Sequence, residues 1–160
     1  MLERLLRLFR SKPAAPSTPG RVPRQVQPPP FGPASGPVLV SYSPNADGRA
    51  DPGEVVWTAV AFEDDPAQSK DRPVLIIGRR GAWLAGLQLT SKSPGAGSSR
   101  VFMDVGTGAW DPRRRPSQVR LDRLLDVDPA RVRREGAAMD RYMFDRVVAQ
   151  ASRFLPELRD

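Results

Sequence analysis

Proline is distributed very unevenly along the chain, and its positions limit where a folded core can form. Half of the 18 prolines lie between residues 13 and 37, including three in a row at 28–30. Proline fixes φ and has no backbone N–H, so this stretch favours extended conformations over helices or sheets. We therefore predict a disordered Pro- and Gly-rich linker over 13–51, with a candidate short strand at 38–42, and a folded domain over 52–160.

The first twelve residues form a separate, basic and amphipathic segment. Its apolar residues recur at helical spacing, and its basic residues fill the positions between them: Leu2, Leu5, Leu6, Phe9 and Arg4, Arg7, Arg10, Lys12. Such a segment suits an anionic membrane surface or a partner protein, but about twelve residues are too few for a stable isolated helix. A start of the chain without structure or function is an equally open interpretation.

The amino-acid composition excludes several kinds of chemistry. The chain has no cysteine and no histidine, which rules out disulfides, Ser-His-Asp triads and zinc sites built on those residues. The formal charge of +7 at pH 7 favours a polyanionic partner. Nucleic acid, RNA or DNA, is the first candidate, and an anionic membrane or an acidic protein is the alternative. No apolar stretch reaches the roughly 20 residues that span a bilayer, and no long apolar signal sequence is present, so we expect a cytoplasmic protein.

Several segments of the predicted domain have the composition of β-strands. β-Branched and aromatic residues or unbroken apolar runs mark them, at 54–62, 73–78, 82–90, 100–105 and 118–121. The polar stretch 63–71 and the Gly- and Pro-rich stretch 91–99 are predicted loops.

Toward the C-terminus the apolar residues change to helical spacing. Residues 129–134 have the composition of one or two helical turns, broken near Gly136. Residues 140–154 place apolar side chains on one helical face, namely Met143, Phe144, Val147, Val148, Ala151 and Phe154. Short strands followed by a terminal helix predict a mainly β fold, a small barrel closed by a C-terminal helix.

Four short motifs occur in an order that is found in a known family. The sequence reads Gly-Glu-Val-Val-Trp at 53–57, Arg-Pro-Val-Leu-Ile-Ile at 72–77, Leu-Gln-Leu-Thr-Ser at 87–91 and Ser-Gln-Val-Arg at 117–120. Together they make residues 52–156 resemble the MazF/PemK family of type II toxin–antitoxin endoribonuclease toxins. The resemblance implies an SH3-like barrel, a homodimer, and cleavage of single-stranded RNA without a metal or other cofactor. It also implies an antitoxin partner whose acidic, disordered tail blocks the RNA groove.

The resemblance assigns catalytic roles to three residues. Arg72 matches the family's catalytic arginine, Thr90 its catalytic threonine, and Arg115 an arginine that assists catalysis in the PemK-like branch. In the family the substrate's 2′-hydroxyl is the nucleophile, and the products carry a cyclic phosphate and a 5′-hydroxyl. A guanidinium can bind two phosphate oxygens and stabilise charge that develops at phosphorus, which suits Arg72. From sequence alone, Arg72 and Thr90 are almost as compatible with ordinary surface and strand positions.

Further residues are candidates for contact with the RNA chain. The basic candidates, which would contact phosphates, are Lys70, Arg113, Arg114 and Arg120. Trp110, in a loop flanked by Gly and Pro, is a candidate for stacking on an unpaired base, whereas Trp83 in mid-strand is expected in the core. The arginines at 113–115 are also compatible with a solvated loop that has no binding role.

Departures from the family pattern bear on catalysis. The acidic residue of the PemK-like branch is replaced by Ser117, and its histidine has no counterpart. Arginine is a poor proton acceptor because its pKa exceeds about 12. The general base is therefore open among Asp71, Asp65, Glu63 and water. The alternative to an enzyme is a catalytically silent SH3-like module that binds RNA or a protein partner.

Overall fold

A computed structural model describes residues 36–92, 95 and 99–158 of the chain. The predictions for residues 1–35, a basic amphipathic segment and most of a Pro-rich linker, lie outside the described residues. Within those ranges, the chain forms an antiparallel sheet with one α-helix after it. No helix in the described part is both long enough and apolar enough to cross a membrane.

The sheet is built from strands that mostly pair with their neighbours in sequence. In chain order these are β1 (Leu39–Val40), β2 (Glu54–Ala61), β3 (Ser69–Arg80), β4 (Trp83–Thr90), β5 (Phe102–Gly106), β6 (Ser117–Val127) and β7 (Arg134–Ala138), followed by the helix α1 (Arg141–Ala151). Single 3-10 turns lie at Ser99–Val101, Pro129–Arg131 and Pro156–Leu158. The order across the sheet is β5-β6-β4-β3-β2-β7, with β1 added to β3. The predicted mainly β fold with a C-terminal helix is confirmed.

Irregularities in the strand pairing bend the sheet. The register shifts between Ile76 and Gly78 on β3 and between Leu87 and Leu89 on β4, and such bulges bend and twist a strand. As a result, the Arg123 guanidinium on β6 donates a hydrogen bond of 2.9 Å to the carbonyl of Ala61 at the end of β2. Two strands separate β6 from β2 in the sheet, so the sheet curls on itself in the manner of a small barrel.

The two faces of the sheet bury two apolar clusters. The larger cluster lies between the sheet and α1 and includes Leu75, Leu87, Val119, Phe144 and Val147. The smaller cluster lies on the opposite face and includes Val56, Val74, Ile76, Leu84 and Val127. Because successive residues of β3 point into different clusters, its apolar run is unbroken rather than alternating with polar residues.

The folded part starts earlier than the predicted boundary at residue 52. β1 pairs with β3, and Val38 before it is buried. The Tyr42 hydroxyl donates to a backbone carbonyl just before α1 at 2.7 Å, and its ring packs edge-on against Phe144. Residues 36–51 therefore pack on the barrel and the helix, and the prediction of a disordered linker is wrong for them. A few apolar contacts hold a segment that is rich in Gly, Pro, Ser and Asp and has few large apolar residues.

Strand pairing also corrects several predicted boundaries. β3 begins inside the predicted loop 63–71, and β6 continues past its predicted end at residue 121. The sequence pattern favours helical turns at 129–134, but only one 3-10 turn forms there before β7 pairs with β2. In each case pairing with a neighbouring strand satisfies the backbone and outweighs local propensity.

The C-terminal helix is shorter than predicted. The Asp140 carboxylate caps its first turn by accepting two backbone N–H groups. The predicted apolar face packs on the sheet through Phe144, Val147 and Ala151. Because the helix ends at Ala151, Phe154 is left 41% exposed and Leu155 is buried in its place.

Candidate functional site

Strand register brings residues at one end of the sheet into a single cleft. β2 and β3 pair Thr58 with Arg72, and the pairing of Val74 with Gln88 places Arg72 opposite Thr90. Residues opposite each other in an antiparallel pair share a face. These strand ends and the loop before β6 enclose a cleft of about 220 Å³, whose lining includes Lys70, Arg72, Thr90, Lys92, Asp111 and Arg115.

All three residues predicted to be catalytic line this cleft. The Arg72 side chain makes no hydrogen bond or ion pair with the described part of the chain, so its guanidinium is available to a ligand. The Thr90 hydroxyl accepts the N–H of Lys92 at 3.1 Å, which leaves its own hydrogen free to donate. Arg115 is bound through Nε to Asp111 at 2.7 Å, and its terminal amino groups have no partner among the described residues.

The cleft is electropositive. Among the described residues, its charged lining consists of two lysines, two arginines and two carboxylates, namely Lys70, Lys92, Arg72, Arg115, Asp71 and Asp111. Each carboxylate already binds an arginine, because Asp111 contacts Arg115 and Asp71 contacts Arg133 at 2.9 Å. The unpaired cations therefore favour an anionic ligand. Within the described ranges, no group of three or more acidic side chains is arranged to hold a metal ion.

Asp111 is a site residue that the sequence did not identify. Its side chain is 5% exposed and accepts the backbone N–H of Arg113 at 2.9 Å as well as Nε of Arg115. The hydrogen bond from Arg115 lowers the pKa of Asp111 below its usual 3.8, the backbone bond from Arg113 adds to this, and burial opposes it. An Asp followed by Pro and polar residues is typical of a turn, which is the signal that could have found it.

Trp110 is part of the core and not a stacking surface. It is 7% exposed, and its indole N–H donates to the Ser117 hydroxyl at 3.2 Å. Its carbonyl accepts the indole N–H of Trp57 at 2.8 Å. The stacking prediction is therefore wrong. Although Trp110 lies in a loop flanked by Gly and Pro, its side chain is buried, and its hydrogen bonds fix the position of that loop. Trp83, expected in the core, is only half-buried at the start of β4.

The other predicted RNA contacts are divided between two places. Lys70 lines the cleft, whereas Arg113 and Arg114 are exposed on the loop beside it. Arg120 lies on β6 and binds two carboxylates, Asp122 at 2.7 Å and Glu63 at 2.9 Å. The hydrogen bonds that Arg120 donates, first to Asp122 and then to Glu63, raise its pKa, and burial opposes this. A role of these arginines in RNA binding stays a prediction.

The candidate general bases are also separated by the fold. Of the three carboxylates considered, only Asp71 lines the cleft. Glu63 is bound by Arg120 and Arg123, and Asp65 accepts the side-chain amide of Gln68 at 2.6 Å.

The region that contains this cleft matches a known protein family. Residues 51–155 match the profile of the family described as "PemK-like, MazF-like toxin of type II toxin-antitoxin system". The chain belongs to this family. The matched region contains all the residues of the cleft, and it leaves β1 and most of the loop that follows it outside. No protein with a curated description matches the sequence.

Solved structures of MazF proteins resemble the chain at low sequence identity. MazF (Form-I) from Deinococcus radiodurans is 19% identical with a TM-score of 0.51, over 69% of this chain and 99% of that one. The MazE-MazF structure (Form-II) from the same organism has 18% identity and a TM-score of 0.49, over 69% and 98%. The Mycobacterium tuberculosis toxin MazF-mt6 has 16% identity and a TM-score of 0.41, over 61% and 93%. The first of these supports the MazF-like fold.

Proposed function

We propose that this MazF-like toxin is a metal-independent endoribonuclease that cleaves single-stranded RNA. The observation that carries the proposal is the convergence of Arg72, Thr90 and Arg115 on one electropositive cleft. These side chains come from β3, β4 and the loop before β6. The Arg72 side chain has no partner among the described residues, and Arg115 is bound to Asp111 only through Nε, so both guanidinium groups can still bind a ligand. A phosphodiester is the anion that two guanidinium groups and a hydroxyl suit best.

In the proposed reaction the 2′-hydroxyl oxygen of the RNA attacks the adjacent phosphorus. The bond from phosphorus to the 5′-oxygen of the next nucleotide breaks, which leaves a 2′,3′-cyclic phosphate and a 5′-hydroxyl. Arg72 and Arg115 bind the non-bridging oxygens, where negative charge increases in the transition state. Thr90 donates its hydroxyl hydrogen to a phosphate oxygen and so fixes the phosphate between the strands.

A proton must leave the 2′-hydroxyl, and another must reach the 5′-oxygen. We assign the first to Asp71, because it lines the cleft beside Arg72 and only its Oδ2 is engaged, by Arg133. Water supplies the second proton. Asp71→Asn should lower the cleavage rate and change its dependence on pH, whereas an unchanged rate and profile would assign the acceptor role to water.

Family membership also suggests the partners. Because the family is that of type II toxins, we infer an antitoxin whose acidic, disordered tail lies across the cleft and neutralises its cations. We also infer a homodimer, for which the exposed apolar side chains Leu39, Tyr142 and Phe154 are available. Light scattering of the purified protein tests this, and a monomer at micromolar concentration would contradict it. RNA as substrate agrees with the expected cytoplasmic location.

The test of the activity is a gel assay on single-stranded RNA in excess chelator. Wild type is compared with Arg72→Ala and with Arg131→Ala, a matched control whose side chain is 71% exposed and lies outside the cleft. We expect wild type and the control to cleave, and Arg72→Ala to lose about 10²- to 10³-fold in rate, as when an oxyanion donor is removed. RNA with a 2′-deoxy nucleotide at the cleaved position should stay intact.

Two other outcomes would lead to different conclusions. RNA that is bound but left intact by folded wild-type protein would favour the catalytically silent module. Cleavage that persists in Arg72→Ala would remove the cleft from the mechanism.

A further inference from the structure

The Asp111 carboxylate organises the loop that carries Arg115. Its Oδ2 accepts Nε of Arg115 at 2.7 Å, and its Oδ1 accepts the backbone N–H of Arg113 at 2.9 Å. Its backbone carbonyl accepts the N–H of Arg114, also at 2.9 Å. Asp111 therefore fixes the backbone of Arg113 and Arg114 and the side chain of Arg115.

The loop holds an unfavourable backbone conformation. Arg114 has a φ of 53°, and it is the one non-glycine residue with positive φ among those the structure describes. Such a conformation is disfavoured for a residue with a Cβ and persists where surrounding contacts determine it. The contacts that determine it here come from Asp111, on the side of the loop that faces the cleft.

The resemblance aligns Ser117 with the acidic residue of the PemK-like branch, but the contacts of Ser117 in this chain are structural. Its side chain is buried, and its hydroxyl accepts the indole N–H of Trp110 at 3.2 Å. A neutral hydroxyl in that position cannot balance the charge of Arg115. Asp111 reaches Arg115 from the other end of the same loop and supplies a carboxylate to the same cleft.

We propose that Asp111 is a positioning residue, which holds Arg115 by Nε so that its terminal amino groups face the substrate phosphate. The inference rests on the proposed ribonuclease function. Arg115 is 49% exposed, so without this contact its long side chain would sample many rotamers, and ordering it at the phosphate would cost entropy.

Asp111 is not itself the proton acceptor. Both of its oxygens accept hydrogen bonds, and these bonds lower the pKa of the carboxyl. A carboxylate of that kind holds its charge at neutral pH and takes up a proton poorly. Its effect on the reaction is therefore exerted through Arg115.

The experiment measures single-turnover cleavage of a short RNA by Asp111→Asn. The matched control is Asp122→Asn, which breaks a contact of the same 2.7 Å length with Arg120 outside the cleft. We expect Asp111→Asn to slow cleavage roughly tenfold to hundredfold, by analogy with groups that orient metal ligands, and to leave the affinity for an uncleavable 2′-deoxy analogue almost unchanged. The control should cleave at the wild-type rate.

A positioning role is distinguished from a structural one by repeating Asp111→Asn in an Arg115→Ala background. If Asp111 acts through Arg115, the second substitution should change the rate by less than about twofold there. An equal loss in both backgrounds, or no loss in wild type, would overturn the inference. Cleavage by wild type with an unaffected Asp111→Asn refutes this inference alone, whereas an inactive wild type refutes the proposed function as well.

Arg115→Lys provides the same test should Asp111→Asn not fold. Lysine keeps the positive charge but has no Nε–H in the place where Asp111 binds it. We expect its cleavage rate to fall to within about threefold of that of Arg115→Ala. A wild-type rate in Arg115→Lys would show that a held guanidinium is not required.

Discussion

Two arginine–aspartate pairs in this toxin have the same contact and opposite surroundings. In both, Nε of the arginine lies 2.7 Å from the carboxylate, Arg115 with Asp111 and Arg120 with Asp122. We call Arg115 and Asp111 the cleft pair. Its carboxylate is buried and its arginine is half exposed, and no described residue binds the terminal amino groups of that arginine. We call Arg120 and Asp122 the β6 pair. Here Glu63 also binds the guanidinium, and the arginine side chain is only 25% exposed.

The number of carboxylates that bind each arginine determines whether its guanidinium can still bind a phosphate. The guanidinium of Arg120 is shared between two carboxylates, so an incoming phosphate must compete with both. Arg115 is held by one carboxylate at one nitrogen and can still bind two phosphate oxygens with the others. The cleft pair therefore positions its arginine for a ligand, whereas the β6 pair neutralises its arginine.

The largest effect should come from Trp110, which holds the loop of the cleft pair but has no part in the β6 pair. Trp110→Ala removes a buried aromatic side chain and should lower the free energy of unfolding by roughly 3–5 kcal/mol. Trp110→Phe, the control, keeps a buried aromatic ring. It loses the indole hydrogen bond to Ser117, worth about 1 kcal/mol, and part of the buried volume, so its destabilisation should be smaller than that of Trp110→Ala. Urea denaturation measures both. Full stability combined with weaker RNA binding would return Trp110 to the stacking role.

Exchange of each arginine in turn tests the comparison directly. Arg115→Ala should slow cleavage of RNA by about 10²-fold, because it removes a donor to the transition-state phosphate. Arg120→Ala should leave the cleavage rate within about twofold of wild type, since its charge is already neutralised. Single-turnover kinetics with both folded variants decides the point, and equal losses would mean that the two pairs do not differ in function.

The sequence motifs point to the main residues of the candidate cleft but not to the loop that supports it. Arg72 and Thr90 are identified by their motifs, and the register of β3 and β4 sets them opposite each other. Asp111 carries no motif, and its importance comes from burial and from a turn that is visible only once the loop is folded. Trp110 was misjudged for the same reason, because nearby Gly and Pro indicate a loop but do not show whether its aromatic residue points inward.

The fold could be predicted where local pattern and tertiary pairing agree. The apolar runs of β2, β3 and β4 are buried on both faces, so composition alone marks them. β7 and the first described residues contain few large apolar side chains and owe their order to pairing with β2 and β3. Long-range pairing of that kind leaves little trace in a single sequence.

The exposed arginines beside the cleft should contribute to affinity rather than to rate. Arg113 and Arg114 are exposed on the loop, and each phosphate contact adds about 0.7 to the slope of log affinity against log salt for a single strand. The double substitution Arg113→Ala/Arg114→Ala should therefore reduce that slope by about 1.4. Fluorescence anisotropy with an uncleavable RNA measures it. Arg120→Ala is the comparison, and a slope reduced equally by Arg120→Ala would place the RNA track along β6 as well.

The smallest effect concerns the stability of the cleft pair in acid. The contacts of Asp111 lower its folded pKa below the usual 3.8. Its stabilisation is therefore fully present above the unfolded pKa and is lost as pH falls through the folded pKa. Discounted for the solvent around half-exposed Arg115, it should amount to about 1 kcal/mol. The difference in unfolding free energy between wild type and Asp111→Asn should be constant near neutral pH and shrink in acid.

Urea denaturation from pH 7 down to about pH 3 measures this difference, with Asp122→Asn as the reference for losing a carboxylate elsewhere. Arg115→Ala should remove most of the acid-sensitive part, because Arg115 is the largest cause of the lowered pKa. If the difference between wild type and Asp111→Asn instead stays constant down to the lowest pH, the carboxylate is not held by Arg115 in solution. Arg115 would then not be positioned by Asp111, and the cleft pair would not differ from the β6 pair in the way inferred above.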